Sequence, residues 1–127
     1  MREIKFRGKR VRPEGVQDAW AFGSLIQRIE ATEIHDSIFT WNVHPETIGQ
    51  FTGLIDKNGT DIYEGDIIQD NNGIGVLIWF QTSWGVASYA YGYDGLKSYT
   101  AVDSFYVNEA KEWEVIGNIH DNPELIK

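Results

Sequence analysis

Turn punctuation constrains this chain more than any other feature. Asp56-Lys57-Asn58-Gly59 and Asp70-Asn71-Asn72-Gly73 each place Asn and Gly together, the residues that accept positive φ in tight hairpin turns. His44-Pro45-Glu46-Thr47 puts proline at the second position of a turn. Asp94-Gly95 and Asn108-Glu109-Ala110-Lys111 add two more reversals. Between them lie short apolar runs: Asp61–Gln69, Ile74–Gln81, Gly85–Tyr93 and Trp113–Ile119. No long window carries a helical apolar stripe, whereas Trp20, Phe22, Ser24 and Ile26 alternate as a strand does. Residues 34–43 are rich in β-branched and aromatic side chains and read as one extended segment. Residues 27–33 fit a strand end or a short helical turn. Asn122-Pro123 starts one final turn.

This spacing predicts a mainly β fold with little helix, a small barrel or meander with additional N-terminal strands. A five-stranded, barrel-like meander is expected within 61–119. The whole chain, 1–127, is expected to be a single domain. Residues 1–53 supply N-terminal strands that pack on a barrel-like part, 54–119, because two-stranded ribbons cannot bury Ile4, Phe6, Trp20 and Phe22 alone. Residues 120–127 form a C-terminal turn.

Charge narrows the partners. The net charge of −8 is unevenly spread. Residues 1–12 hold six basic groups and one acid, a balance of +5, and the rest hold five basic groups and 18 acids, a balance of −13. An acidic body repels nucleic-acid phosphates and a basic segment attracts them. Lys5, Arg7 and Lys9 alternate with Ile4 and Phe6, the pattern of a half-buried strand. On a sheet edge that strand would meet acids of a neighbouring copy, which predicts a homo-oligomer. The chain has no cysteine, which removes disulfides, thiolate nucleophiles and cysteine-based metal sites, and fits a reducing, cytoplasmic setting. No apolar run is long enough to span a bilayer, and the N-terminus lacks a signal-peptide stretch, so no membrane partner is expected.

Catalytic patterns are absent. There is no Gly-x-Ser-x-Gly elbow and no phosphate-cradling glycine loop. Asp61, Glu64, Asp66 and Asp70 fail the spacing of a calcium loop and read as a solvated edge. His35, His44 and His120 lack metal-ligand spacing; a hydrolase or nuclease would have to gather His120, Asp121 and the 61–70 acids in space. No catalytic residue, metal ligand or cofactor is assigned. Nine of the 17 aromatic residues fall between 79 and 106. Tyr89, Tyr91 and Tyr93 share one strand face, able to stack bases if exposed or to fill a core or interface if covered. The candidate binding residues are therefore Lys5, Arg7, Lys9, Tyr89, Tyr91 and Tyr93; Asn58, Gly59 and Gly65 are structural turn residues.

Three blocks of sequence resemble the YopX family of phage and prophage proteins. They are Met1-Arg2-Glu3-Ile4-Lys5-Phe6-Arg7-Gly8-Lys9, Pro45 to Leu54 continuing through Asp56-Lys57-Asn58-Gly59 to Ile68, and Glu114 to Leu125. Trp20-Ala21-Phe22-Gly23-Ser24-Leu25 is similar to a fourth, looser block. The resemblance implies a small β-rich protein with no established activity. Gly65-Asp66-Ile67-Ile68 followed by Gly75-Val76-Leu77-Ile78-Trp79 is similar to the opening hairpin of SH3-like barrels. Those barrels host many binding functions and little catalysis. The expected function is a non-enzymatic, oligomeric protein-binding module acting on a phage or host protein. Two alternatives stand beside it: nucleic-acid binding through the basic strand and tyrosine face, and a small metal-dependent hydrolase or nuclease.

Overall fold

Gly53 divides the chain into two compact units, Met1–Gly53 and Leu54–Lys127. The computed structural model describes residues 3–11, 20–71, 73–80, 83–91, 97–103 and 107–126, with backbone only at 80, 88–91, 97–103 and 107–108. Among the described residues there is no α-helix, and every strand pairing is antiparallel, so the fold is mainly β.

The first unit contains β1 (Phe6–Lys9), β2 (Trp20–Gln27), β3 (Thr32–His35), β4 (Thr40–Asn42) and the start of β5 (Gly49–Ile55). Their order is β4-β3-β2-β1-β5. β1 is thus an interior strand, with Arg7 opposite Phe22 on one side and Gly49 on the other. The expectation of an edge strand is corrected here. Chain position says nothing about sheet position, and β5 arrives from forty residues downstream to take the second side of β1. The segment read as one extended piece, 34–43, is also corrected. It is a hairpin in which β3 and β4 pair Ile34 with Trp41, and Asp36–Phe39 form the turn. The outer side of β4 is met near its end, where Arg10 bridges Val43 and the Val11 N–H donates to the Asn42 carbonyl at 2.8 Å. A single 3₁₀ turn, Pro45–Thr47, follows the proline signal. Ala21, Ile34 and Val43 form the core, flanked by Phe6, Leu25, Trp41 and Ile48.

The second unit contains β6 (Asp61–Tyr63), β7 (Asp66–Asp70), β8 (Gly73–Phe80), β9 (Ser83–Tyr91), β10 (Lys97–Asp103) and β11 (Glu114–Asn118). Five of these form a sheet in the order β10-β9-β8-β7-β11. The meander β7 to β10 is thus completed by β11, which returns to lie beside β7. Five strands were expected in this region, but the sheet is open, with β10 and β11 at its edges, so the SH3-like barrel closure is not found. Successive residues of β8 face opposite ways, and at the centre of the strand both faces are covered, while Ile74 and Trp79 toward its ends are exposed. Ile67, Val76 and Ala87 align across β7, β8 and β9 at 0% exposure. Ile68, Leu77 and Val86 lie on the other face, with Ile62, Ala110 and Trp113. That explains the unbroken run Val76-Leu77-Ile78, because a strand buried on both sides cannot alternate. Each fully buried Ile or Leu contributes about 1.5–3 kcal/mol.

Candidate functional site

The basic strand is used inside its own unit. Arg7 is 7% exposed, and its guanidinium lies 4.7 Å from the centre of the Trp20 ring. The Lys5 ammonium sits 4.5 Å from the Phe51 ring centre, and the Arg10 guanidinium 4.1 Å from that of Trp41. A cation over an aromatic face is attracted by the ring quadrupole, worth roughly 0.5–2 kcal/mol depending on desolvation. The Lys9 backbone N–H donates to the Thr47 hydroxyl at 2.8 Å, fastening β1 to the 3₁₀ turn. The apolar residues assigned to the buried face behave unevenly. Phe6 packs on the core, whereas Ile4 is 66% exposed.

Lys5, Arg7 and Lys9 belong to the first unit, and the tyrosine strand β9 belongs to the second. The backbone of β9 is described through Tyr91, but the side chains of Tyr89 and Tyr91, and all of Tyr93, lie outside the described residues.

Of the 61–70 acids, Asp66 builds a turn, and the His120-Asp121 pair lies in a turn organised by Asn118. Gly65, at φ +90°, reverses the chain between β6 and β7, and the buried Asp66 carboxylate accepts the Tyr63 N–H at 2.7 Å. The Asn118 side-chain oxygen accepts the N–H groups of His120 and Asp121 at 3.0 and 2.9 Å, and its amide donates to the Asp121 carboxylate. Among the described residues no three His, Asp or Glu side chains gather as a metal-holding group.

Asn58 and Gly59 occupy the turn expected of them, Gly59 at φ +83°. Asp56 organises that turn. Its carboxylate accepts the N–H groups of Asn58 and Thr60 at 2.8 and 2.9 Å. It also accepts the N–H of Val115, 59 residues away, at 2.9 Å. Burial pushes this carboxyl up, but the three donors, with Lys57 alongside, outweigh burial and hold it below the ordinary aspartate value.

A second aspartate turn was not singled out from sequence. At the β3–β4 tip, the Asp36 carboxylate accepts the N–H groups of Phe39 and Ile38 at 2.8 and 2.9 Å and the Trp41 indole N–H at 2.9 Å. These donors, Phe39 first, lower its pKa from 3.8 to about 2. Ser37 takes φ +91°, rare outside glycine. The turn presents Ile38 at 75% and Phe39 at 57% exposure, with the Phe39 ring 5.4 Å from that of Trp41. The available signal was Asp36-Ser37, two turn-forming residues inside an otherwise β-prone run. This built turn carrying two apolar side chains is the strongest candidate contact surface among the described residues.

A family model described as YopX protein matches residues 9–127. No curated protein matches the chain. Among the described residues no helix is long and apolar enough to cross a membrane.

Proposed function

The chain belongs to the YopX family, and from that membership and the hairpin tip we propose a protein-binding β module that assembles with a second copy of itself. In this reading it is an accessory protein of a phage or prophage, acting in the host cytoplasm without catalysis of its own. The observation that carries it is the Asp36 turn, which fixes Ile38 and Phe39 in solvent. A loose loop with the same residues would lose conformational entropy on binding; a turn held by three side-chain-accepted hydrogen bonds has already lost it. Exposed apolar side chains on a rigid support are the usual centre of a contact.

A second copy suits this surface. Two-fold contacts require one patch that complements itself, and an apolar tip beside the short outer edge of β4 does so. Relative to the sequence expectation, the proposed contact moves from β1 to β3–β4, because β1 has a strand on each side. The nucleic-acid reading is weaker, because the Lys5 and Arg7 cations lie against the Phe51 and Trp20 rings of their own unit. Sedimentation at tens of micromolar, where weak specific contacts populate, tests the proposal. The native chain is expected to self-associate, and a chain carrying Ile38→Ser and Phe39→Ser to run as a monomer. A monomeric native chain overturns it.

A further inference from the structure

The Asn58-Gly59 bond has a reactivity that the fold restrains. In such a pair the glycine nitrogen can attack the asparagine side chain, because no side chain on the following residue blocks the approach. Both residues are exposed, and nothing lies within 4 Å of where a Cβ on Gly59 would sit. Sterics therefore leave the reaction open. Hydrogen bonding does not. The Gly59 N–H, whose nitrogen is the nucleophile, donates to the Asp56 carbonyl at 3.1 Å. The flanking N–H groups of Asn58 and Thr60 both donate to one oxygen of the Asp56 carboxylate. The Asp56 N–H donates back to the Thr60 carbonyl at 2.9 Å.

We infer that Asn58 is a deamidation site gated by the Asp56 clamp. The Gly59 nitrogen gives its proton to solvent hydroxide and bonds to Cγ of Asn58. The Cγ–Nδ2 bond breaks, and ammonia leaves after taking a proton from water. Water then opens one of the two carbon–nitrogen bonds of the succinimide ring. Opening at Cγ gives aspartate; opening at the main-chain carbonyl gives isoaspartate. The balance is one water consumed and one ammonia released. Isoaspartate routes the main chain through Cβ and lengthens the loop by one carbon. The loop can then no longer present the Asp56 carboxylate to Asn58, Thr60 and Val115 together, so the reaction loosens the attachment of β11.

The test follows ammonia loss in the full chain in mildly alkaline buffer. Mass spectrometry with peptide fragmentation places the gain of about one mass unit at residue 58. The folded native chain is expected to react about tenfold more slowly than the urea-unfolded chain, because the attacking N–H is held in a hydrogen bond within an ordered loop. Asp56→Ala, folded, should react faster than the folded native chain but more slowly than the unfolded one, because it loses the carboxylate's bonds to Asn58 and Thr60 while keeping the main-chain carbonyl that accepts the Gly59 N–H; a variant rate equal to the folded native rate overturns the role of the carboxylate. Equal rates in folded and unfolded native chain overturn the gating, whatever the folding of the variant. For the consequence, Asn58→Asp should melt with the native protein, because its backbone N–H still reaches Asp56, whereas the isoaspartate fraction should melt earlier. An isoaspartate fraction that melts with the native chain refutes the effect on β11.

Discussion

The turns at Asp36 and Asp56 use one chemistry for two ends. Each carboxylate accepts three N–H donors, and each is held below its ordinary pKa by them. At Asp36 every donor lies within five residues, so the network closes a hairpin and reaches no further. At Asp56 one donor comes from β11, so the same carboxylate joins the start of the second unit to its last strand. Asp56 is 6% exposed, while the Asp36 turn lifts two apolar residues into solvent. Sequence span, rather than bond number, separates a turn that supports the fold from one that displays a surface.

Removing each carboxylate is the sharpest way to break that comparison. Asp56→Ala should cost about 2–3 kcal/mol, since hydrogen bonds to a charged acceptor are lost and the Val115 N–H is left without it in a half-buried position. Chemical denaturation measures this; a cost no larger than that of Asp36→Ala would erase the distinction. Gly59→Val should cost on the order of 1 kcal/mol or more, because a β-branched residue resists φ +83° while meeting no neighbour. An unchanged melting midpoint would mean that the loop relaxes freely.

Acid acts on both turns. The folded pKa of Asp36, about 2, lies below the ordinary 3.8, so its contribution is present above the higher value and lost as pH falls toward the lower. Asp56 is lowered too and weakens in the same direction. Asp36→Ala should therefore flatten the fall in stability between those two values, and an unaltered slope would show that the hairpin tip does not sense its carboxylate. The smallest expected effect on stability belongs to Ile38→Ser with Phe39→Ser. These solvent-facing changes should stay within about 0.5 kcal/mol each. A larger loss would mean that the tip packs on its own protein.

Local signals were legible and distant ones were not. Gly59 announced its positive φ, Gly65 its chain reversal, Pro45 and Pro123 their short turns, and the signal beginning at Asp70 the pairing of β7 with β8. The meander β7 to β10 followed from turn spacing, because each hairpin is encoded by its neighbours, whereas the return of β11 to β7 is a distant pairing. β1 was misplaced because its second partner, β5, lies far along the chain. Arg7 was read as a surface cation because alternation assigns faces and does not reveal that a Trp20 ring will cover one. The Asp36 turn was hidden by strong β propensity on both sides of a two-residue signal. The reach of Asp56 to Val115 has no local signature at all.

The mass of the protein in solution decides whether the Asp36 hairpin tip is a self-association surface. Sedimentation of the native chain, the Ile38→Ser and Phe39→Ser chain, and a Lys5→Ser and Lys9→Ser chain should be run side by side at tens of micromolar. The native chain should self-associate, the tip variant should not, and association should persist when Lys5, just before the interior strand, and Lys9, within it, are changed. A native chain that sediments as a monomer, or one whose association survives loss of the tip and disappears with Lys5 and Lys9, would contradict that role of the tip.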